Sequence, residues 1–309
     1  MRAGRRSAAT MVLKKNVLKV LAEKPDMFVS TAQEQLTEER IAELRQIPRL
    51  AVGEITGCAG MEAFIQILSA QRPDAFLPTV SFTGTEYGSW EQLFQKLEAL
   101  RKVVENELKI YCTEPLVLGS PGFWRALNGC HADELSRRFS FDSRCCGCRV
   151  YACAVRVPLC KMLNARIMIA GHTGQSGSNG RYHNSPLAVG YYSRLMSNFG
   201  IELLPGVPDS SRRESLDPDH AFSAGQKPHQ PVCCVLDKHT GATEGQTVKP
   251  SSVAAFFESF ALPAAAKIIS RALAGRAVDY QHESAETLKP VEKKPAKRKK
   301  RGARHGISA

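Results

Sequence analysis

Arg49-Leu-Ala-Val-Gly-Glu-Ile-Thr-Gly-Cys-Ala-Gly-Met-Glu-Ala-Phe-Ile-Gln-Ile-Leu68 decides the fold. Arg49 to Thr56 is a short apolar run of buried-strand type, Gly57-Cys-Ala-Gly60 is a turn, and Met61 to Leu68 is helix-like. The same order of parts returns along the chain. Ala75 to Phe82 predicts a strand, and Trp90 to Leu108 a long helix with apolar positions at Leu93, Leu97, Leu100, Val104 and Leu108. Ile110-Tyr-Cys-Thr113 or, alternatively, Leu116-Val-Leu118 supplies a third strand. Pro121 to Phe139 predicts a helix that starts on its proline, followed by a cysteine-rich loop. Tyr151 to Leu163 predicts another helix, interrupted near Pro158. Asn164 to Gly171 is a strand running into a glycine turn, Pro186 to Phe199 a helix and Gly200 to Leu204 a strand. Upstream, residues 36–48 carry Leu36, Ile41, Leu44 and Ile47 at helical spacing and end at Pro48. Strands alternating with helices predict an α/β protein: an open, mostly parallel sheet with helices on both faces.

Around this body the composition shifts. Residues 1–35 read as a basic, partly helical extension, 36–204 as the α/β domain with the cysteine cluster 145–160 inserted, and 205–231, rich in Pro, Ser, Asp and Arg, as a flexible linker. Residues 232–285 form a C-terminal segment, in which Val232-Cys-Cys-Val-Leu236 is a final strand or a wall of the cysteine site. A helix over 251–273 follows, broken at Pro263. Residues 286–309 read as a disordered basic tail. No internal repeat is visible.

The 309 residues carry a net charge of +12, but +8 of it sits in residues 289–309 and +5 in residues 1–15, leaving −1 for residues 16–288. The body is near neutral, so the charge does not make it a nucleic-acid binder. The two arms can hold RNA or another polyanion by counterion release, or serve solubility alone. The N-terminus lacks the continuous apolar core of a secretory signal, and no apolar run approaches a membrane span. These readings predict a cytoplasmic protein without a membrane partner.

Five of the ten cysteines fall in Ser143-Arg-Cys-Cys-Gly-Cys-Arg-Val-Tyr-Ala-Cys-Ala-Val-Arg-Val-Pro-Leu-Cys160. Cys145 and Cys148, spaced as C-x-x-C, with Cys153 after them and Cys234 from downstream, can place thiolates around one tetrahedral metal ion. Cys146 is the alternative ligand. The set suits Zn2+ or an iron–sulfur cluster. Redox or sulfur-carrying thiols and inert buried cysteines are the competing readings, and disulfides would need an oxidising compartment. Cys160 lies deeper in a helix and reads as core.

In an open α/β sheet the ligand site lies beyond the C-terminal strand ends. Thr56-Gly-Cys-Ala-Gly60 stands there, with glycines that permit close backbone approach and a helix N-terminus that offers N–H groups to phosphate. A plain tight turn is the alternative. A second loop, Gly171-His-Thr-Gly-Gln-Ser-Gly-Ser-Asn-Gly-Arg-Tyr-His-Asn184, follows another strand and is a nucleotide or polar-substrate loop or a solvent loop. His172 is its best-placed side chain; His183 reads as a surface residue.

This order of parts resembles the PP-loop ATP pyrophosphatases, the adenine-nucleotide alpha-hydrolase group of the HUP-type folds. The carrying features are Ala51-Val-Gly-Glu-Ile-Thr-Gly-Cys-Ala-Gly-Met-Glu-Ala63, Val80-Ser-Phe-Thr-Gly-Thr-Glu-Tyr87, and the cysteine segment ahead of Ile167-Met-Ile-Ala-Gly-His172. The likeness covers residues 49–204 plus Cys233-Cys-Val-Leu-Asp237. It implies a substrate activated as an adenylate with ATP and Mg2+, then sulfur or nitrogen transfer, often to tRNA, with a cysteine-bound zinc ion or iron–sulfur cluster in some members. Under the resemblance Thr56, Gly57, Cys58 and Gly60 wrap the phosphates, Thr83 and Gly84 lie near the adenosine, and His172 and Asn184 flank the substrate. The loop departs from the family's Ser-Gly-Gly-x-Asp-Ser at Cys58-Ala59-Gly60, which provide neither the acidic residue nor the second hydroxyl. Two other readings stand beside this one: a non-catalytic, metal-stabilised RNA-binding protein with a degenerate nucleotide loop, and a persulfide carrier in which Cys58, at a helix N-terminus, is the reactive thiol. Oligomeric state is not legible.

Overall fold

Leu50–Ile55, buried at every position, is the central strand β1 of a six-stranded sheet. The computed structural model describes residues 36–55, 61–87, 90–173, 182–206, 232–233 and 248–289. β1 pairs in parallel with β2 (Ala75–Phe82) on one side and with β6 (Ile167–Thr173) on the other. β7 (Glu202–Gly206) extends the sheet beyond β6. Beyond β2 both candidate third strands form. β4 (Tyr111–Cys112) pairs with the start of β2 and β5 (Leu116–Gly119) with its end, so the alternatives are two pieces of one edge. Every pairing in this sheet is parallel, and the expected sheet is observed.

Helices cover both faces, and side chains alternate between them as the pleat requires. Ala51, Ile55, Phe76, Val80 and Ile169 meet α2 (Met61–Gln71) and α3 (Trp90–Asn106) in an apolar layer containing Phe64, Leu68, Leu97, Leu100 and Val104. The fit is close: a Cβ at Gly53 would stand 2.4 Å from the Phe76 ring. Leu50, Val52, Ala75, Leu77, Met168 and Ala170 face the other way, into a larger cluster. That cluster is built with α1 (Glu38–Arg45), α4 (Pro121–Leu127), α5 (Ala132–Phe139), α6 (Arg144–Ala154), α7 (Arg156–Met162) and α8 (Pro186–Ser197). Side-chain caps set several helix starts: Thr37 accepts from Arg40 N–H, Ser120 from Phe123 N–H and Ser185 from Ala188 N–H.

Several expectations need correction. The cysteine-rich stretch is neither a loop nor an insertion on the surface: it is helix α6, and Cys146, Val150 and Cys153 face the core. Helical spacing explains this, because these positions recur every three to four residues. The expected interruption near Pro158 occurs earlier, at Val155; Pro158 sits in the first turn of α7, where its missing N–H has no partner to lose. The helix expected over Pro121 to Phe139 is broken by the 3-10 turn Gly129–His131.

Pro263 does not break the C-terminal helix. A π turn at Phe257–Ala261 joins α9 (Pro250–Phe256) to α10 (Leu262–Leu273) and widens the backbone just where the proline ring would strike the preceding turn. The resulting Pro250–Leu273 run is apolar and long enough to cross a membrane by length and composition, contrary to expectation, but 56% of its most apolar window is buried inside the protein. A further helix, α11 (Tyr280–Leu288), was not foreseen; Glu283 on it is 1% exposed and is paired with Lys267 and with Arg271, whose Nε lies 2.8 Å away. α9, α10 and α11 belong to the same core as α6, so residues 250–288 complete the α/β body. Of the linker expected over 205–231, Pro205 and Gly206 belong to strand β7; residues 207–231, the basic N-terminal extension and the tail from 290 onward lie outside the described residues.

Candidate functional site

The strand order β4-β2-β1-β6-β7 reverses direction between β1 and β6. In open α/β sheets such a switch opens a crevice at the C-terminal strand ends, because the flanking connections run to opposite sides. Both glycine-rich segments leave from this place: residues 56–60 follow β1 and residues 174–181 follow β6. Thr56, Gly57, Cys58 and Gly60 themselves lie outside the described residues. His172 is placed on β6, within a register shift between Ala170 and Thr173 that ends the regular pairing with β7. Asn184 ends the 3-10 turn Tyr182–Asn184 on the far side of the second loop, and its Oδ1 is buried with no hydrogen-bond partner among the described residues. Tyr192 on α8 donates to the His183 carbonyl at 3.1 Å and holds this turn against the core.

Thr83 and Gly84 occupy the turn after β2, where Gly84 has φ +80, a conformation suited to glycine. Their donors are taken up internally. Glu86 accepts from Thr83 N–H at 2.7 Å, from the Thr83 hydroxyl at 2.8 Å and from Gly84 N–H at 2.9 Å. Glu86 also stands on β3 (Glu86–Tyr87), which pairs antiparallel with β8 (Val232–Cys233), Glu86 opposite Cys233. The chain thus returns from the 207–231 segment to the same end of the sheet.

A buried polar cluster that the sequence reading missed lies next to this switch point, between the C-terminal halves of β1 and β2 and helices α6 and α7. Glu54, wholly buried one residue before the end of β1, pairs with Arg149 of α6, Nη1 to Oε1 3.0 Å. Arg156, also wholly buried, donates to Thr79 Oγ1 at 2.8 Å, to Ser81 Oγ at 2.8 Å, to the Thr79 carbonyl at 3.3 Å and to the Ala152 carbonyl. Tyr151 accepts from Ser120 N–H at 2.7 Å and donates to the Phe82 carbonyl at 2.6 Å, tying α6 to the ends of β2 and β5.

The two arginines differ electrostatically. Burial is the largest single influence on Arg149 and opposes its charge, but the Glu54 carboxylate together with Cys148 and Tyr192 outweighs it and raises the pKa. At Arg156 burial wins over the same carboxylate and lowers the pKa. The signal for this cluster was present: a glutamate inside an apolar strand run, and two arginines seven residues apart on a helical stretch of apolar neighbours. Such charges are buried when a partner meets them.

The predicted metal ligands divide. Cys145 and Cys148, one helical turn apart on α6, are half-buried. Cys153 points into the core with Cys146, and burial pushes both thiols well above their ordinary pKa. Cys153 is thus set apart from Cys145 and Cys148, on the buried side of the helix. Cys234 lies outside the described residues, and among the described residues no group of three His, Cys, Asp or Glu side chains could hold a metal ion. Gly147, between the cysteines, serves packing: a Cβ there would stand 2.1 Å from Asn128 Oδ1.

No protein-family model matches the chain. It is similar to the uncharacterized protein MJ0009 of Methanocaldococcus jannaschii, 29% identical over 171 residues. The match covers 55% of this chain and 60% of that protein, and so spans less than two thirds of the relative's length.

Proposed function

We propose that the chain binds ATP or a related nucleotide, with Mg2+, in the crevice between the C-terminal ends of β1 and β6, and adenylates a tRNA or small-molecule substrate for sulfur or nitrogen transfer. One observation carries this reading: two glycine-rich segments, 56–60 and 174–181, leave adjacent parallel strands at the topological switch of the sheet. That is where phosphate meets backbone N–H groups in sheets of this type. The resemblance to PP-loop ATP pyrophosphatases gives the chemistry its class. Cys145 and Cys148 offer two thiols to Zn2+ or an iron–sulfur cluster, with a cysteine of the 233–234 pair as a third.

Isothermal titration of Mg2+-ATP into the purified full chain, followed by a pyrophosphate-release assay with bulk tRNA, tests the reading. Saturable binding with release supports adenylation; no detectable ATP affinity sinks it. Binding without release supports a second reading, a nucleotide- or RNA-binding protein without catalysis, which the absence of an acidic side chain in Cys58-Ala59-Gly60 favours. In that case RNA affinity falls steeply with salt, since the basic arms act through phosphate contacts.

A further inference from the structure

Two guanidinium groups and one carboxylate are packed beside the crevice. Arg156 makes all its described hydrogen bonds to neutral oxygens, those of Thr79, Ser81 and Ala152. Arg149 takes Glu54. Tyr151 and Tyr192 add no charge, because burial holds both phenols protonated. Glu86, the carboxylate whose charge acts on Tyr151, is already engaged by the N–H groups of Thr83 and Gly84. The Glu54, Arg149 and Arg156 cluster therefore holds one positive charge in excess, at the C-terminal edge of β1.

An unbalanced buried charge is costly, and a protein that keeps one away from water has a use or a counterion for it. Of the two cations, Arg149 is the one that can meet a ligand. Its side chain is 17% exposed, whereas Arg156 is wholly buried. Arg149 gives Nη1 to Glu54, and its other N–H groups make no hydrogen bond or ion pair among the described residues. Glu54 stands one residue before the chain enters the 56–60 segment, with Thr79 and Ala170 as its neighbours across the sheet.

We infer that Arg149 is an anion-binding side chain of this crevice, taking a phosphoryl group on the guanidinium edge that Glu54 leaves open, with Glu54 as the internal counterion that positions it. Arginine suits the task, because its planar fork holds one oxyanion while a second bond is kept elsewhere. The inference rests on the nucleotide reading for the identity of the phosphoryl donor, and not for the anion site itself.

The test uses inorganic pyrophosphate and Mg2+-ATP as separate probes, titrated calorimetrically into the full chain. Because Arg149→Gln alone takes the guanidinium away from the buried Glu54 carboxylate, the informative pair is Glu54→Gln against the double variant Glu54→Gln/Arg149→Gln, each checked for native circular dichroism. Glu54→Gln is expected to bind pyrophosphate more tightly than the parent, because a repelling carboxylate is gone. The double variant is expected to bind more weakly than Glu54→Gln by on the order of 10- to 100-fold, the value of a charge-assisted contact. Glu54→Gln/Arg149→Lys falls between them, keeping the charge and losing the fork. Equal pyrophosphate affinity in the single and double variants, or no pyrophosphate binding by the parent, overturns the inference. Pyrophosphate binding that needs Arg149 without any ATP binding keeps the anion site and removes the nucleotide reading. ATP binding indifferent to Arg149 does the reverse.

Discussion

The two faces of the sheet are built on different principles. The face under α2 and α3 is apolar along β1, from Ala51 past Gly53 to Ile55, and its tolerance is steric, set by Phe64 and Phe76. The face under α6 and α7 is apolar at the strand starts, with Leu50, Val52, Ala75 and Leu77, then turns polar at Glu54, Thr79 and Ser81. Polar groups in a buried strand lower stability unless each finds a partner. Their confinement to the C-terminal half of one face marks where the fold gives up apolar burial for a network of hydrogen bonds and an ion pair.

The comparison can be broken by mutation. Arg156→Ala removes the donor shared by Thr79, Ser81 and Ala152 and leaves a cavity, and should destabilise the chain by about 2–4 kcal/mol, read from urea unfolding. A loss below about 1 kcal/mol would mean that the polar face relaxes freely and holds nothing in place. On the opposite face Gly53→Ala pushes a methyl group into the Phe76 ring, 2.4 Å from the new atom, and should cost about 1–3 kcal/mol by overpacking. A neutral result there would show that the apolar face yields more easily than its contacts imply.

Alkaline pH probes the thiols on the polar side. Burial raises Cys160 from 9.0 to about 12, and raises Cys146 and Cys153 further. Above about pH 9 the unfolded chain releases these protons and the folded chain retains them, so stability falls as pH rises, by about 1.4 kcal/mol per pH unit for each thiol. Unfolding midpoints at pH 8 and pH 10 should differ accordingly; a flat profile would mean that the thiols are hydrated. The gentlest test perturbs nothing: at pH 7.5 a maleimide should label Cys145 and Cys148 in the native protein, and Cys146, Cys153 and Cys160 after unfolding, as resolved by peptide mass spectrometry. Native labelling of Cys153 would place it on an open surface beside Cys145 and Cys148.

The sheet was legible because its strands are buried on both faces and read as unbroken apolar runs, as in Ala75 to Phe82. The cysteine helix was not, because Cys-Cys-Gly-Cys carries the look of a metal knuckle, and the close approach of Asn128 that requires Gly147 comes from another helix. Glu54 stood in plain view inside its strand, yet its role depends on Arg149, 95 residues away, and no local pattern joins them. The switch-point loops were placed from their glycines, whereas the engagement of Thr83 and Gly84 by Glu86 appears only when the turn is closed.

The late position of α9, α10 and α11 has a consequence for biosynthesis. Phe139 and Phe141 pack edge-on against Phe256, and Phe123 stacks on Tyr280. Until those last helices emerge, the outer surfaces of α4, α5 and α6 are uncovered apolar faces. At translation rates of about 5–20 residues per second, the roughly one hundred residues between α6 and α9 leave that surface open for about 5–20 s. The nascent chain should therefore be a chaperone client over that interval, and truncation before Pro250 should convert a folding protein into an aggregating one.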